Sequence, residues 1–387
     1  MLFSDQQRDD HSPGKYAEDI FAFLGRSARP NAVEIRRILE KWFEDYPAVE
    51  CAALKDRLQN DFHAGFLELF LHSYFHANSF TLAPHPTVPN SPRKPDFLVQ
   101  NGECEFYLEA TVVRDISDQD IARQRVKNLL LDAINSADSP NFFLDLRDFT
   151  IAPGSQPAAR KIKAFLEREL PKWDPDEVEK SVAGNAVNDG PILQFQDAAI
   201  FVRIMLIPRS PEARGKPGIR PIGIHPPETH WGGEDSVLRK SINNKTTRYG
   251  ALDRSYVICA NYIGIWGAEQ EDILNALFGT RQLTATTNRP NPVPSRKPDG
   301  IFRGPGGPWN TRVSGVIVAT ISPWNLPSAR FELYHHPRAT FPLKPCALPL
   351  RQASIAGDRL EWREGIPLAD LYRLPEGWPD LSGRGHR

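Results

Sequence analysis

Apolar residues recur along this chain at two spacings, and the alternation of the two predicts an α/β architecture. Ala32–Tyr46 has helical spacing through Ile35, Ile38, Leu39, Trp42 and Phe43, and Asp61–Phe75 reads as a second, strongly apolar helix. Phe80–His85 reads as a strand, followed by a Pro-rich turn over Pro86–Pro95. Strands are expected at Phe97–Val99 and Glu105–Val113, joined through Asn101-Gly102, a strong hairpin signal. A helix over Ile121–Asn135 and a strand over Asn141–Leu146 follow. Farther along, helices are expected at Ala159–Leu170, Ser236–Tyr249 and Glu271–Phe278. Further strands are expected at Ala198–Ile207, Ser255–Tyr262, Arg312–Ile321 and Arg330–Tyr334. The pattern implies a flexible lead-in over residues 1–30 with a short helix at Lys15–Leu24, and a single α/β domain over 31–345. An insertion at about 150–235 interrupts that domain, and residues 346–387 read as a loosely packed tail.

Composition changes this picture little. Of the 387 residues, 40% are hydrophobic and 25% charged, which is ordinary for a globular protein. The 35 prolines concentrate in 205–230 and 285–350, so irregular connections are expected there. Lys plus Arg (47) and Asp plus Glu (48) nearly cancel, so any nucleic-acid contact would rest on a local basic strip rather than on net charge. The polar stretch Met1–Lys15 carries no apolar signal region, and no apolar run reaches membrane-spanning length. A cytoplasmic protein with no membrane partner is expected. Cys51, Cys104, Cys259 and Cys346 are widely spaced without a CxxC pair, which predicts reduced thiols rather than a zinc cluster or disulfide framework.

The chemistry concentrates in the hairpin. With Asn101-Gly102 as a two-residue turn, Asp96 lies opposite Tyr107, and the period of two places Asp96, Tyr107, Glu109 and Thr111 on one face. Phe106, Leu108, Ala110 and Val112 form the other, wholly apolar face. Asp96 and Glu109 then become diagonal neighbours, close enough for two carboxylates to converge on one cation. Like charges at that spacing repel unless a cation separates them. Mg²⁺ (or Mn²⁺) suits carboxylates and water, and could polarise a phosphate and lower the pKa of an attacking water. Glu68 is a third carboxylate, set in the apolar helix between Phe66 and Leu71 with the small residues Ala64 and Gly65 beside it.

Helical Glu68, the strand after it, Pro95-Asp96, the hairpin and Glu109-Ala110-Thr111 together resemble the core of the PD-(D/E)XK nuclease superfamily. The element order of helix, three strands, helix and strand is similar to that family's shared core. The resemblance implies a restriction-endonuclease-like mixed sheet flanked by helices, elaborated by an insertion and a C-terminal extension. It implies a metal-dependent phosphodiesterase with nucleic acid, most naturally DNA, as partner and substrate. Asp96 and Glu109 would hold the metal, with Glu68 supporting it.

Thr111 stands where the family carries a lysine that orients water and stabilises developing charge. A hydroxyl brings no positive charge. A displaced lysine is therefore needed, and Lys127 and Lys245 are the favoured candidates, with Lys94 a third. Lys127 follows Arg123, Gln124 and Arg125 on one helix, and Lys245 begins Lys-Thr-Thr-Arg-Tyr249, similar to a Gln-xxx-Tyr element that contacts nucleic acid in some family members. Arg123, Gln124, Lys127, Lys245 and Tyr249 are thus the candidate nucleic-acid residues. The rival expectation is a nucleic-acid-binding or assembly protein that kept the fold and lost activity. A carboxylate hydrolase using Glu68 and Glu109 is a third.

Other signals add less. His72 and His76 share a helix face but lack the glutamate of HExxH, so local packing is expected. Arg93-Lys-Pro-Asp96 recurs as Arg296-Lys-Pro-Asp299, but Arg312 stands where Glu109 would, so the second copy is not a second site.

Overall fold

The computed structural model describes all residues except 90, 103, 115–117, 183–189, 217–219, 223–232, 265–267, 287–288, 344–347, 357–358 and 381–387. In chain order, four helices, α1 (Ile20–Arg26), α2 (Pro30–Glu44), α3 (Cys51–Asn60) and α4 (Phe62–Ala77), precede β1 (Thr81–Pro84), β2 (Phe97–Asn101) and β3 (Cys104–Val113). Then come α5 (Asp118–Asn135), β4 (Phe142–Ile151), α6 (Ala159–Glu169), α7 (Pro175–Val182), β5 (Ile192–Gln196) and β6 (Ile200–Pro208). After these run α8 (Glu234–Thr246), β7 (Ser255–Tyr262), α9 (Gln270–Phe278), β8 (Arg281–Thr286), β9 (Arg289–Arg296), β10 (Arg303–Gly304) and β11 (Gly307–Pro308). The last elements are β12 (Gly315–Ala319), β13 (Phe331–His335), β14 (Arg351–Ala356), β15 (Arg359–Arg363) and α10 (Leu368–Leu371).

The chain divides into two units. The first comprises residues 1–11, 19–115 and 231–387, and the second 12–18 and 116–230. The first unit is α/β, with an eight-stranded mixed sheet in the order β1-β2-β3-β7-β12-β13-β14-β15. β1, β2 and β3 form an antiparallel meander, and β7 lies parallel to both β3 and β12. All eight residues of β7 are buried, as a strand with parallel neighbours and two covered faces requires. The period of two sorts the sheet's side chains. Phe106, Leu108, Val257 and Cys259 pack with Trp42, Leu58, Phe66 and Phe70 of α2–α4. Tyr107, Tyr256 and Ile258 pack with Leu238 and Ile242 of α8 and Ile273 and Leu277 of α9.

The second unit has its own antiparallel sheet, β4-β6-β5. Its core joins Leu144, Val202 and Ile204 of that sheet to Leu130 and Ile134 of α5 and Ile162 and Leu166 of α6.

Four features differ from the sequence expectation. The strand after α5 does not follow β3 in the large sheet: β4 pairs with β6, and β7 is the parallel neighbour of β3. Both candidates are apolar strands after a helix, so pattern alone could not choose between them. The separate unit accordingly begins near 116 rather than about 150. Residues near the start of the chain and beyond 347 are also packed. The backbone amides of Leu2 and Phe3 donate to Glu40, at 2.8 and 2.6 Å, and the residues from 346 on supply β14, β15 and a buried Trp378. Finally, Cys104 is disulfide-bonded, while Cys51 and Cys259 are free thiols and Cys346 lies outside the described residues.

Helix α4 shows why the core needs its small residues. Asp61 caps it by accepting from the Ala64 amide, and twelve of its sixteen residues are buried, Gly65 among them. A Cβ on Gly65 would lie 2.8 Å from the Leu58 backbone nitrogen on α3. Gly65→Ala therefore forces α3 and α4 apart, and should lower the free energy of unfolding by about 1–3 kcal/mol. Urea denaturation checks this, and an unchanged midpoint would show that the helices absorb the methyl group without cost.

Candidate active site

The site grows from the β2–β3 hairpin. Its ladder runs from Phe97↔Leu108 to Asn101↔Cys104, so Asn101 is a paired strand residue and Gly102, at φ +54°, opens the turn. This is a correction by two in the register sum, and the parity is unchanged. Continued one step beyond Phe97, the ladder sets Asp96 directly opposite Glu109 rather than diagonal to it. The two carboxylates are thus nearest cross-strand neighbours on the face that α8 covers.

Asp96 is held by its own hairpin. The Ala110 amide donates to its Oδ2 at 2.6 Å, and its backbone carbonyl accepts from the His85 amide at 3.0 Å. His85 has φ +49°, a left-handed conformation uncommon for a non-glycine residue, and stored strain of this kind often marks functional sites. Burial, with the Glu109 charge second, pushes the Asp96 carboxyl up to about 6, against the opposing pull of the Ala110 amide, Lys245 and His85.

Glu109 is 2% exposed. Lys245, in the last turn of α8, sets its Nζ 2.7 Å from Glu109 Oε1. The Tyr249 hydroxyl, three residues past the helix, donates to Oε2. That hydroxyl also lies 3.2 Å from the Lys94 carbonyl, and Arg248 Nε stands 3.7 Å from Oε1. Burial and the Glu109 charge both raise the Tyr249 pKa, so this phenol stays protonated and a donor. Below the site, the Tyr256 hydroxyl donates to the Lys245 carbonyl at 3.1 Å and ties the end of α8 to β7.

The structure therefore brings together Asp96, Glu109, Lys245 and Tyr249. Thr111 follows on the same strand, half-buried and paired with Ala260. Lys94 offers its carbonyl while its side chain is exposed. Glu68 is committed elsewhere: its Oε1 accepts from the Tyr46 hydroxyl at 2.6 Å and its Oε2 pairs with Arg57. The Tyr46 hydroxyl that it holds also feels the charge of Asp96. Among the described residues no group of three or more His, Cys, Asp or Glu side chains is placed to hold a metal ion. Asp96 and Glu109 thus face each other across the hairpin, while the hydrogen bonds of Glu68 go to Tyr46 and Arg57. Arg123, Gln124 and Lys127 lie on α5 in the second unit, where Lys127 sits 5.8 Å from the Phe149 ring centroid and Gln124 donates to Asn128 at 2.9 Å. His72 and His76 stack on each other at 5.8 Å, and burial drops the His72 pKa to about 4.

Sequence reasoning did not single out Tyr46, Arg57 or His85. Tyr46 and Arg57 carried no signal, because their partner Glu68 was the residue being interpreted. Asp299 of the second Arg-Lys-Pro-Asp copy is structural: it accepts from the Thr280 amide and hydroxyl, both at 2.8 Å.

Asp96 generates a pH-dependent prediction. Its folded pKa of about 6 lies above the ordinary 3.8, so the folded state favours the protonated form. Its contribution to stability is present below about pH 4 and is lost as pH rises toward 6. Asp96→Asn keeps an acceptor for the Ala110 amide and does not titrate. In denaturant titrations without metal, wild type should therefore lose stability relative to the variant between pH 4 and 7. A difference that stays flat would mean that Asp96 ionises freely.

No protein-family model, curated protein or solved structure matches this chain.

Proposed function

We propose that this chain is a metal-dependent nucleic-acid phosphodiesterase that acts on DNA and uses Asp96, Glu109 and Lys245. One observation carries the reading: Lys245, distant in sequence, sets its ammonium 2.7 Å from the carboxylate of Glu109, on the face shared with Asp96. A carboxylate pair beside a lysine is the combination that Thr111 left incomplete on the motif strand. The order α4, β1–β2–β3, α8 and parallel β7 supports a PD-(D/E)XK-like core, with α8 and β7 as its last helix and strand.

The donor set fits a hard divalent ion. Mg²⁺ uses one or two carboxylates and keeps several waters, and two negative side chains that raise each other's proton affinity are relieved by a cation. Glu109 gives one lone pair on each oxygen to Lys245 and Tyr249, and each oxygen retains another. Mg²⁺ or Mn²⁺ bound to Asp96 and Glu109 would supply Lewis acidity toward phosphate and a more acidic water. The chain's own residues do the rest. The Ala110 amide orients Asp96, Tyr249 fixes the rotamer of Glu109, and Lys245 brings positive charge to where a phosphate oxygen gains negative charge. Arg248, exposed beside them, is placed for a neighbouring phosphate.

A second reading, a nucleic-acid-binding or assembly protein without activity, is favoured by the same hydrogen bonds, because they already neutralise Glu109.

Cleavage of linear and supercoiled DNA with Mg²⁺, with Mn²⁺ and with EDTA tests the reading. Glu109→Ala and Lys245→Ala should each lower the rate by about 10²-fold or more, with Lys245→Arg retaining part of it. Lys127→Ala should cleave like wild type. Mg²⁺ should raise the melting temperature of wild type and leave Glu109→Ala unmoved. Absent cleavage with retained DNA binding would establish the second reading, and loss on Lys127→Ala alone would reassign the lysine.

A further inference from the structure

Trp309 has no role in the fold as a core residue. It is 51% exposed, and it belongs to none of the three apolar clusters. Its position is nevertheless fixed from three sides. Its amide donates to the Phe302 carbonyl at 3.0 Å, and its carbonyl lies 2.8 Å from His336 Nε2. Its ring lies against Gly304, where a Cβ would come within 2.7 Å of the indole. The next residue, Asn310, takes φ +53° and donates to the Ile301 carbonyl at 2.9 Å. The half-exposed ring thus presents an aromatic face on which a flat ligand could stack.

The ring borders a pocket of about 190 Å³ between α8 and the β10–β11 hairpin, which Arg239 and Asn243 also line. That volume lies below the roughly 300–1,000 Å³ of sites for drug-sized ligands, so the pocket suits a fragment of one ring system. Asn243 is exposed and offers an amide that can both donate and accept. Arg239 Nε is buried without a hydrogen-bond partner. Asp299 also lines the pocket and disfavours a phosphate inside it. Arg239 and Asn243 share α8 with Lys245, six residues or about 9 Å along the axis from Arg239.

We propose that this pocket takes one unstacked nucleobase of a single-stranded segment, with Trp309 as the stacking platform and Asn243 at the base edge. The inference rests on the nucleic-acid reading of the preceding section and deepens it. Aromatic faces are sequence-tolerant platforms for bases that have left the helical stack, and an asparagine amide matches the paired donor and acceptor of adenine. The strand's phosphates lie outside the pocket, toward the exposed Arg303 beside Gly304.

The test is binding of 5′-fluorescein oligo(dA) and oligo(dT) decamers, followed by anisotropy in EDTA so that no cleavage occurs. Trp309→Ala should weaken binding by roughly five- to 150-fold, the worth of one stacked base, and Trp309→Phe should keep most of the affinity. Asn243→Ala should reduce any preference for oligo(dA). Melting curves identify variants that have lost the fold. Trp309→Ala binding as tightly as wild type overturns the proposal, as does a wild type that binds neither decamer. Normal cleavage with no effect of Trp309→Ala sinks the pocket alone. Absent cleavage with Trp309-dependent binding sinks the nuclease reading alone.

Discussion

Glu109 carries a carboxylate on an interior strand of the large sheet, with 2% of its surface exposed. A charge in that position is unstable unless the fold brings donors to both oxygens. Lys245 and Tyr249 meet that need, and both belong to the end of α8 and the turn after it. The path of the chain from α8 into β7 follows from this requirement. The Tyr256 hydroxyl on the Lys245 carbonyl repeats the link one strand over. Removing either donor would strand a buried charge, so α8 is bound to the sheet by electrostatics as well as by Leu238 and Ile242.

The same requirement leaves Asp96 short of positive charge. It shares the field of Lys245 with Glu109, and beyond that it has a single amide bond from Ala110. Burial first, and the neighbouring Glu109 charge second, push the Asp96 carboxyl up to about 6. On the proposed reading, that imbalance is what a divalent ion corrects. Glu68, by contrast, is paired with Arg57 and accepts from the Tyr46 hydroxyl.

The hairpin was the most legible part of the chain. Alternating apolar residues in β3 identified its buried faces, and the parity of the turn put Asp96 and Glu109 on one side even though the turn itself begins one residue later. Periodicity also located α2, α4 and β7. The pairing partner of β3 was not legible, because strand order is decided by tertiary packing and both β4 and β7 have the apolar composition of buried strands. The burial of Leu2, Phe3 and Trp378 was hidden for a related reason. Leu2, Phe3 and Trp378 are isolated apolar residues in polar stretches, and their burial depends on surfaces built elsewhere. Trp309 left no periodic signal, since a lone aromatic beside glycines and prolines reads as a loop.

On the proposed reading, the topology explains how Thr111 can stand where the resemblance implies a lysine. β3 and β7 are parallel neighbours, so the chain must cross over between them, and a crossover needs only that its two ends return to adjacent positions. The entropy of closing such a connection grows slowly with its length, so most of the second compact unit, residues 116–230, can sit within it. The last helix before β7 must then pack on the face that carries Glu109. A lysine in the final turn of that helix reaches the carboxylate regardless of what the inserted unit does. On the proposed reading, a cation on α8 rather than on β3 therefore keeps the charge at the site while freeing position 111. The cost is that the site forms only after α8 has docked, which couples its assembly to the longest-range pairing in the sheet, β3 with β7.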